Sequence, residues 1–170
     1  MPVLQAPIGA PSDPTADAQV GFGYSLFVEL MGDEAQVADI LAIKSASMMT
    51  QALLKDISAT AKDATTSITP LLAAQPAVAI DQNGLPIVET STRNRLTNML
   101  TARLLLAGGS FEVKMLLSQA NAMGYARSLS ASIAEADPNR ARSSIMSQLE
   151  NLFADLESRA ITQLLQLSGQ

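Results

Sequence analysis

The chain has 170 residues, enough for one sizeable hydrophobic core and too few for two comfortable ones. Aromatic residues are only 4% and Trp is absent, which favours packed helices over a sheet sandwich richer in Val, Ile, Tyr and Phe. Cys and His are both missing and the net charge is −5, so thiolate chemistry is excluded, the commonest general base and transition-metal ligand are absent, and nonspecific nucleic-acid binding is disfavoured.

The charge is unevenly placed. Residues 1–89 hold three Lys and ten acids (3 − 10 = −7), and residues 90–170 hold eight basic groups and six acids (8 − 6 = +2). Such a split attracts the front half to the back half, either within one fold or between copies.

Pro2, Pro7, Pro11 and Pro14 punctuate residues 1–17, so an extended Pro-rich N-terminal arm is expected there. This arm would be ordered by lying against another surface, such as a neighbouring subunit. It has no basic n-region and no long apolar run, so a Sec-type signal peptide is not expected. No stretch approaches eighteen uninterrupted apolar residues, and a transmembrane helix is not expected either. The location stays open between cytoplasm, virion and export by a signal-peptide-independent route.

Over 18–31 the spacing of Val20, Tyr24, Phe27 and Met31 suits a helix, the preferred reading. The alternation of Val20, Phe22, Tyr24, Leu26, Val28 and Leu30 also fits a half-buried strand. Gly32 then reads as a stop, Asp33 as a cap, and Glu34 as a first-turn acid near the positive end of the next helix. That helix is predicted to run from about Glu34 to Ser67, before Pro70. It carries a seam of Ile40, Ile43, Ser47, Thr50, Leu54, Ile57, Ala61, Ala64 and Ile68 at steps of three and four. Lys55-Asp56 and Lys62-Asp63 fall off that seam, on a solvated or partner-facing flank. Small and hydroxylated residues dilute the seam, which suits packing against several neighbours better than a two-stranded coil.

Asp81-Gln82-Asn83-Gly84 between two short apolar runs gives a turn signal, so a small β-hairpin at about 77–89, or an ordered loop, is expected. A helix from Thr90 or Ser91 should stop at Gly108-Gly109; its Arg93, Arg95 and Arg103 read as a carboxylate or phosphate cradle or, more simply, as solvated charges. Ser110 can cap a helix through about Ala136, where Ala120 and Gly124 allow close approach of another backbone. Asp137-Pro138 reads as cap and first helical position of a last helix to about Leu167, with a stripe of Met146, Leu149, Phe153, Leu156, Ala160, Leu164 and Leu167. The expected fold is all-α: an elongated bundle of four to five helices forming one domain over 18–170, preceded by the arm.

No catalytic constellation emerges. The acids are scattered, a di-iron bundle would need Glu-x-x-His, and Gly21-Phe22-Gly23 lacks the third Gly and the lysine of a nucleotide loop. Lys44, Lys55, Lys62 and Lys114 form no spacing motif with a Ser or Thr nucleophile. No enzyme activity, cofactor, metal or small-molecule substrate is therefore expected.

Long apolar stripes point instead to a self-assembling structural protein, a subunit of a helical filament, ribbon, shell or virion, with copies of itself as partners. The interface candidates are Ile40, Ile43, Leu54, Ile57, Ile68, Phe22, Tyr24, Phe27, Leu149, Phe153 and Leu156. Helical and rich in small residues, the chain is similar in a general way to bacterial secretion-filament and R-body subunits, although no motif assigns it to a family. A helical binding module, such as a secretion chaperone or adaptor, is one alternative; a membrane-active translocator is another.

Overall fold

The computed structural model describes residues 14–80, 91, 95, 99 and 111–168. Among these the architecture is an all-helical bundle of four long helices: α1 (Pro14–Glu34), α2 (Met48–Ile68), α3 (Phe111–Ala136) and α4 (Arg140–Ser168). Residues 18–31 are helical, and no strand occurs among the described residues. The Pro-rich arm was expected through residue 17, but Pro14 opens α1, where its fixed φ and missing N–H are tolerated. Residues 1–13 lie outside the described residues.

The single helix expected over 34–67 is two elements. A short 3-10 helix, Val37–Ala42, follows α1, and α2 starts only at Met48. Ser47 causes the restart: its backbone is extended (ψ 157°) and its Oγ accepts the Thr50 N–H at 3.3 Å, so this seam residue is an exposed N-cap and not a mid-helix position. Gly32 and Asp33 fall inside the last turn of α1 instead of between helices, so Glu34 lies at the negative end of a macrodipole, the reverse of the expected placement.

The helix directions follow from contacts at the ends. Ser47 and Thr50 of the α2 start bond Glu112 at the α3 start, so these two helices run in the same direction. A crossover, not a tight turn, therefore joins them. Helix α4 runs antiparallel to both, with Arg159 on Asp56 at 2.6 Å and Gln163 beside Thr50. Helix α1 is antiparallel to α3: Gly23 packs on Ile133 near one end, and Glu34 meets Gln119 nearer the other.

The core fills the centre from all four helices. Tyr24, Phe27, Met31, Leu53, Ile57, Leu116, Met123, Met146 and Phe153 are buried, with the Phe27 and Phe153 rings edge to face at 6.2 Å. Below the end of α1 the 3-10 segment takes over as cover: Val37, Ile40, Leu41 and Ala46 pack on Leu54, Phe111 and Met115. Lys55, Asp56, Lys62 and Asp63 are exposed, as their position off the seam requires.

A Cβ on Gly23 would meet Ile133 Cγ1 at 2.9 Å. Overpacking costs about 1–3 kcal/mol and the helix-propensity gain from Gly to Ala offsets about 1. Gly23→Ala should therefore lose up to about 2 kcal/mol in urea denaturation, and a stabilised variant would contradict this packing.

Residues 77–80 carry no strand pairing: the Val78 N–H donates to the Leu72 carbonyl at 2.8 Å and Val78 packs on the core. The rest of the expected hairpin, 81–89, lies outside the described residues, as do the Gly108-Gly109 stop and the Ser110 cap. Ser91, Arg95 and Met99 are helical.

Candidate functional site

Two polar clusters hold the ends of the bundle, and exposed apolar side chains gather at one end. At the first end, Asp137 joins three elements. Its Oδ2 accepts the Tyr24 hydroxyl of α1 at 2.7 Å and Arg142 Nε of α4 at 2.6 Å; its Oδ1 accepts Arg142 Nη2 at 2.9 Å and the Asn139 N–H at 2.8 Å. Arg142 Nη1 then donates to the carbonyls of Ala74 at 2.8 Å and Leu71 at 3.3 Å, which binds the segment after α2. Both charged side chains are fully enclosed, at 0% exposure.

Burial tends to raise the Asp137 carboxyl, but hydrogen bonds from Arg142, the Asn139 N–H and Tyr24 outweigh it and hold the group below the usual carboxylate range. Burial and the neighbouring carboxylate push the Tyr24 hydroxyl far up, so it remains a protonated donor. The expected cap role of Asp137 belongs to Asn139, whose Oδ1 accepts the Ala141 and Arg142 N–H groups, and α4 starts at Arg140. Every strong donor and acceptor in this cluster is already engaged, so it positions helices and offers no free group for chemistry.

At the opposite end Glu112, in the first turn of α3, accepts from the Ser47 and Thr50 hydroxyls and from the Ser47 N–H at 3.2 Å. Burial opposes ionisation, yet these hydrogen bonds prevail and its carboxyl is held low. For both Glu112 and Asp137 the folded state binds its proton less readily than the unfolded chain. Their stabilisation is present above the ordinary carboxylate range and lost as pH falls through it. The melting temperature should thus drop as pH is lowered below about 4; an unchanged melting temperature down to about pH 2 would contradict both clusters.

Of the interface candidates, Tyr24, Phe27, Leu54, Ile57, Ile68, Leu149, Phe153 and Leu156 lie in the interior of the single chain. Ile40 is half-buried, while Phe22 and Ile43 are exposed. Ala120 is buried, and Gly124 faces Glu157 of α4, whose Oε1 stands 2.7 Å from where a Cβ would be. Arg95 is helical, whereas Arg93 and Arg103 lie outside the described residues.

The exposed apolar side chains concentrate where α2 and α3 begin and α4 ends. Met48 is 86% exposed, Ile43 72%, Leu165 66% and Leu117 50%, with Met49, Val113 and Ile161 beside them in sequence register. Val113 and Leu117 are one turn apart on α3, on the stripe that continues to Gly124; Ile161 and Leu165 are one turn apart on α4, on the stripe that continues from Glu157. Because Gly124 meets Glu157, these four flank the solvent side of one α3–α4 seam. Sequence periodicity could not mark them, because it identifies the dominant buried stripe and these lie just outside it.

Among the described residues no group of His, Cys, Asp and Glu side chains could hold a metal ion, and no helix is long and apolar enough to cross a membrane. No protein-family model, curated protein or solved structure matches the chain.

Proposed function

We propose that the chain is a self-assembling structural protein whose copies meet through the solvent side of the α3–α4 seam and the adjoining apolar end. The observation that carries this reading is the grouping of Val113, Leu117, Ile161 and Leu165 on one seam, next to Met48 and Met49 at the same end. Contiguous exposed apolar surface of this kind marks interaction sites in folded proteins. A second copy is the favoured occupant because charges of both signs flank the seam, Lys114 on α3 and Glu150 on α4, beside the Arg127–Glu157 pair made at 3.4 Å within the chain. A two-fold arrangement sets α3 of one copy against α4 of the other and makes such a surface self-complementary. The length of the helices adds support: α4, with 29 residues, extends about 44 Å and offers a long contact line.

The opposite charges of the two sequence halves are used partly within the fold, in the Arg159–Asp56 pair, so the seam and not the charge split is the basis for association. Light scattering after size-exclusion chromatography tests this. The wild type should run as a dimer or larger assembly, and the double variant Leu117→Glu/Leu165→Glu should shift it to monomer with unchanged helical circular dichroism. A wild-type monomer at high concentration would sink the reading.

A further inference from the structure

Glu34 closes α1, and its side chain is buried against α3 with only 8% of the residue exposed. Gln119 of α3, 3% exposed, lies against it and its amide donates to the Glu34 carboxyl. Two acceptors remain without partners among the described residues, Glu34 Oε2 and Gln119 Oε1. Two oxygens cannot satisfy each other, but one proton resolves both: a neutral Glu34 carboxyl donates O–H to Gln119 Oε1 while keeping the Gln119 N–H on its other oxygen. The location favours that proton, because the last turn of a helix is the negative end of its dipole and Asp33 adds a second negative charge. From α2 the nearby group is Ser58, whose hydroxyl is engaged on the Ala35 carbonyl, and no ion pair with a cation from α2, α3 or α4 is made by Glu34 among the described residues.

We propose that Glu34 and Gln119 form a proton-operated latch, which holds the end of α1 and the connector 35–47 on the bundle when Glu34 is neutral and releases them when it ionises. Burial, with Asp33 adding to it and the Gln119 hydrogen bond opposing it, pushes the Glu34 carboxyl up to about 7 from an ordinary 4.5. The sign follows directly. Between these values the unfolded or opened state has lost the proton and the closed state retains it, so the latch weakens as pH rises through this window and is fully open-biased above it. The chain has no His and no Cys, the side chains whose ordinary pKa values lie between those of carboxylates and amines. The connector leads from Glu34 to Ile43, Met48 and Met49, so the latch acts on the path to the exposed apolar end, yet its operation does not depend on assembly.

Hydrogen exchange of the full chain at about pH 5.5 and about pH 8.5, corrected for intrinsic base catalysis, is the test. Protection of the Ala35, Gln36, Asp39 and Lys44 amides should fall by about 30-fold at the higher pH, while amides around Met123 and Phe153 keep theirs. Glu34→Gln, neutral at both values and able to donate to Gln119 Oε1, should abolish the difference. Equal protection at both pH values, a uniform loss across α3 and α4, or a pH effect that persists in Glu34→Gln would each overturn the latch. A carboxyl ¹³C titration of Glu34 gives an independent readout: a midpoint near 7 supports the latch and one near 4.5 refutes it.

Discussion

Arg142→Ala is expected to cost about 3–5 kcal/mol in urea denaturation, among the largest losses available to a single substitution in this chain. The guanidinium is fully enclosed and serves Asp137 twice and the carbonyls of Leu71 and Ala74 once each. Truncation leaves Asp137 charged in the interior with only Tyr24 and the Asn139 N–H, and strips two carbonyls of a donor. The cost of an uncompensated buried charge exceeds the worth of any one hydrogen bond, so the loss should be larger than for Tyr24→Phe, which removes only the 2.7 Å hydroxyl contact and should cost about 1–3 kcal/mol. A loss below about 1 kcal/mol for Arg142→Ala would show that the cluster is not enclosed.

The second large effect is expected at Ile57. With 1% exposure it is surrounded by core from the other helices, and Ile57→Asp sets a carboxylate there with no partner. An unpaired buried charge costs several kcal/mol on top of the lost apolar contacts. This approaches the whole stability of a domain, typically about 5–15 kcal/mol, so the variant should lose its cooperative transition and much of its helical circular dichroism. Ile43→Asp provides the contrast within the same expected seam. Ile43 is 72% exposed, and that change should stay within about 0.5 kcal/mol in the monomer. Equal effects at the two positions would mean that the seam continues as one helix after all.

That contrast also shows what periodicity can carry. Thr50, Leu54, Ile57, Ala61, Ala64 and Ile68 are buried on one face of α2, because the three-and-four rule depends only on helix geometry. The rule misled at Ile43 and Ser47, which are exposed, and placed Ile40 on the wrong element although it packs on the core, since a 3-10 segment and an extended cap interrupt the phase without breaking the apparent spacing. Met146, Leu149, Phe153, Leu156 and Ala160 were legible for the same reason as the α2 stripe, and all are buried on α4.

The polar clusters were not legible. Asp137 before Pro138 has the local signature of a cap, and only the tertiary approach of Tyr24 and Arg142 turns it into a buried ion-pair centre. Glu34 looked like a first-turn acid because Gly32-Asp33 looked like a boundary; whether a glycine ends a helix depends on packing beyond it, and here nothing lies within 4 Å of a Gly32 Cβ to force a break. The apolar seam lay beyond sequence reasoning as well, because exposure of Leu117 and Leu165 is set by which neighbours pack on α3 and α4, not by either helix alone.

The central claim, that copies meet along the α3–α4 seam, is tested most directly by intermolecular distance. The chain has no native Cys, so single cysteines accept a spin label without background. Lys114→Cys places a label at the rim of the seam and Lys62→Cys places one on the exposed flank of α2. In an assembly held by the seam, dipolar coupling between copies should be strong for the label at position 114 and weak for the label at 62. Absent coupling at 114, or stronger coupling at 62, would contradict it.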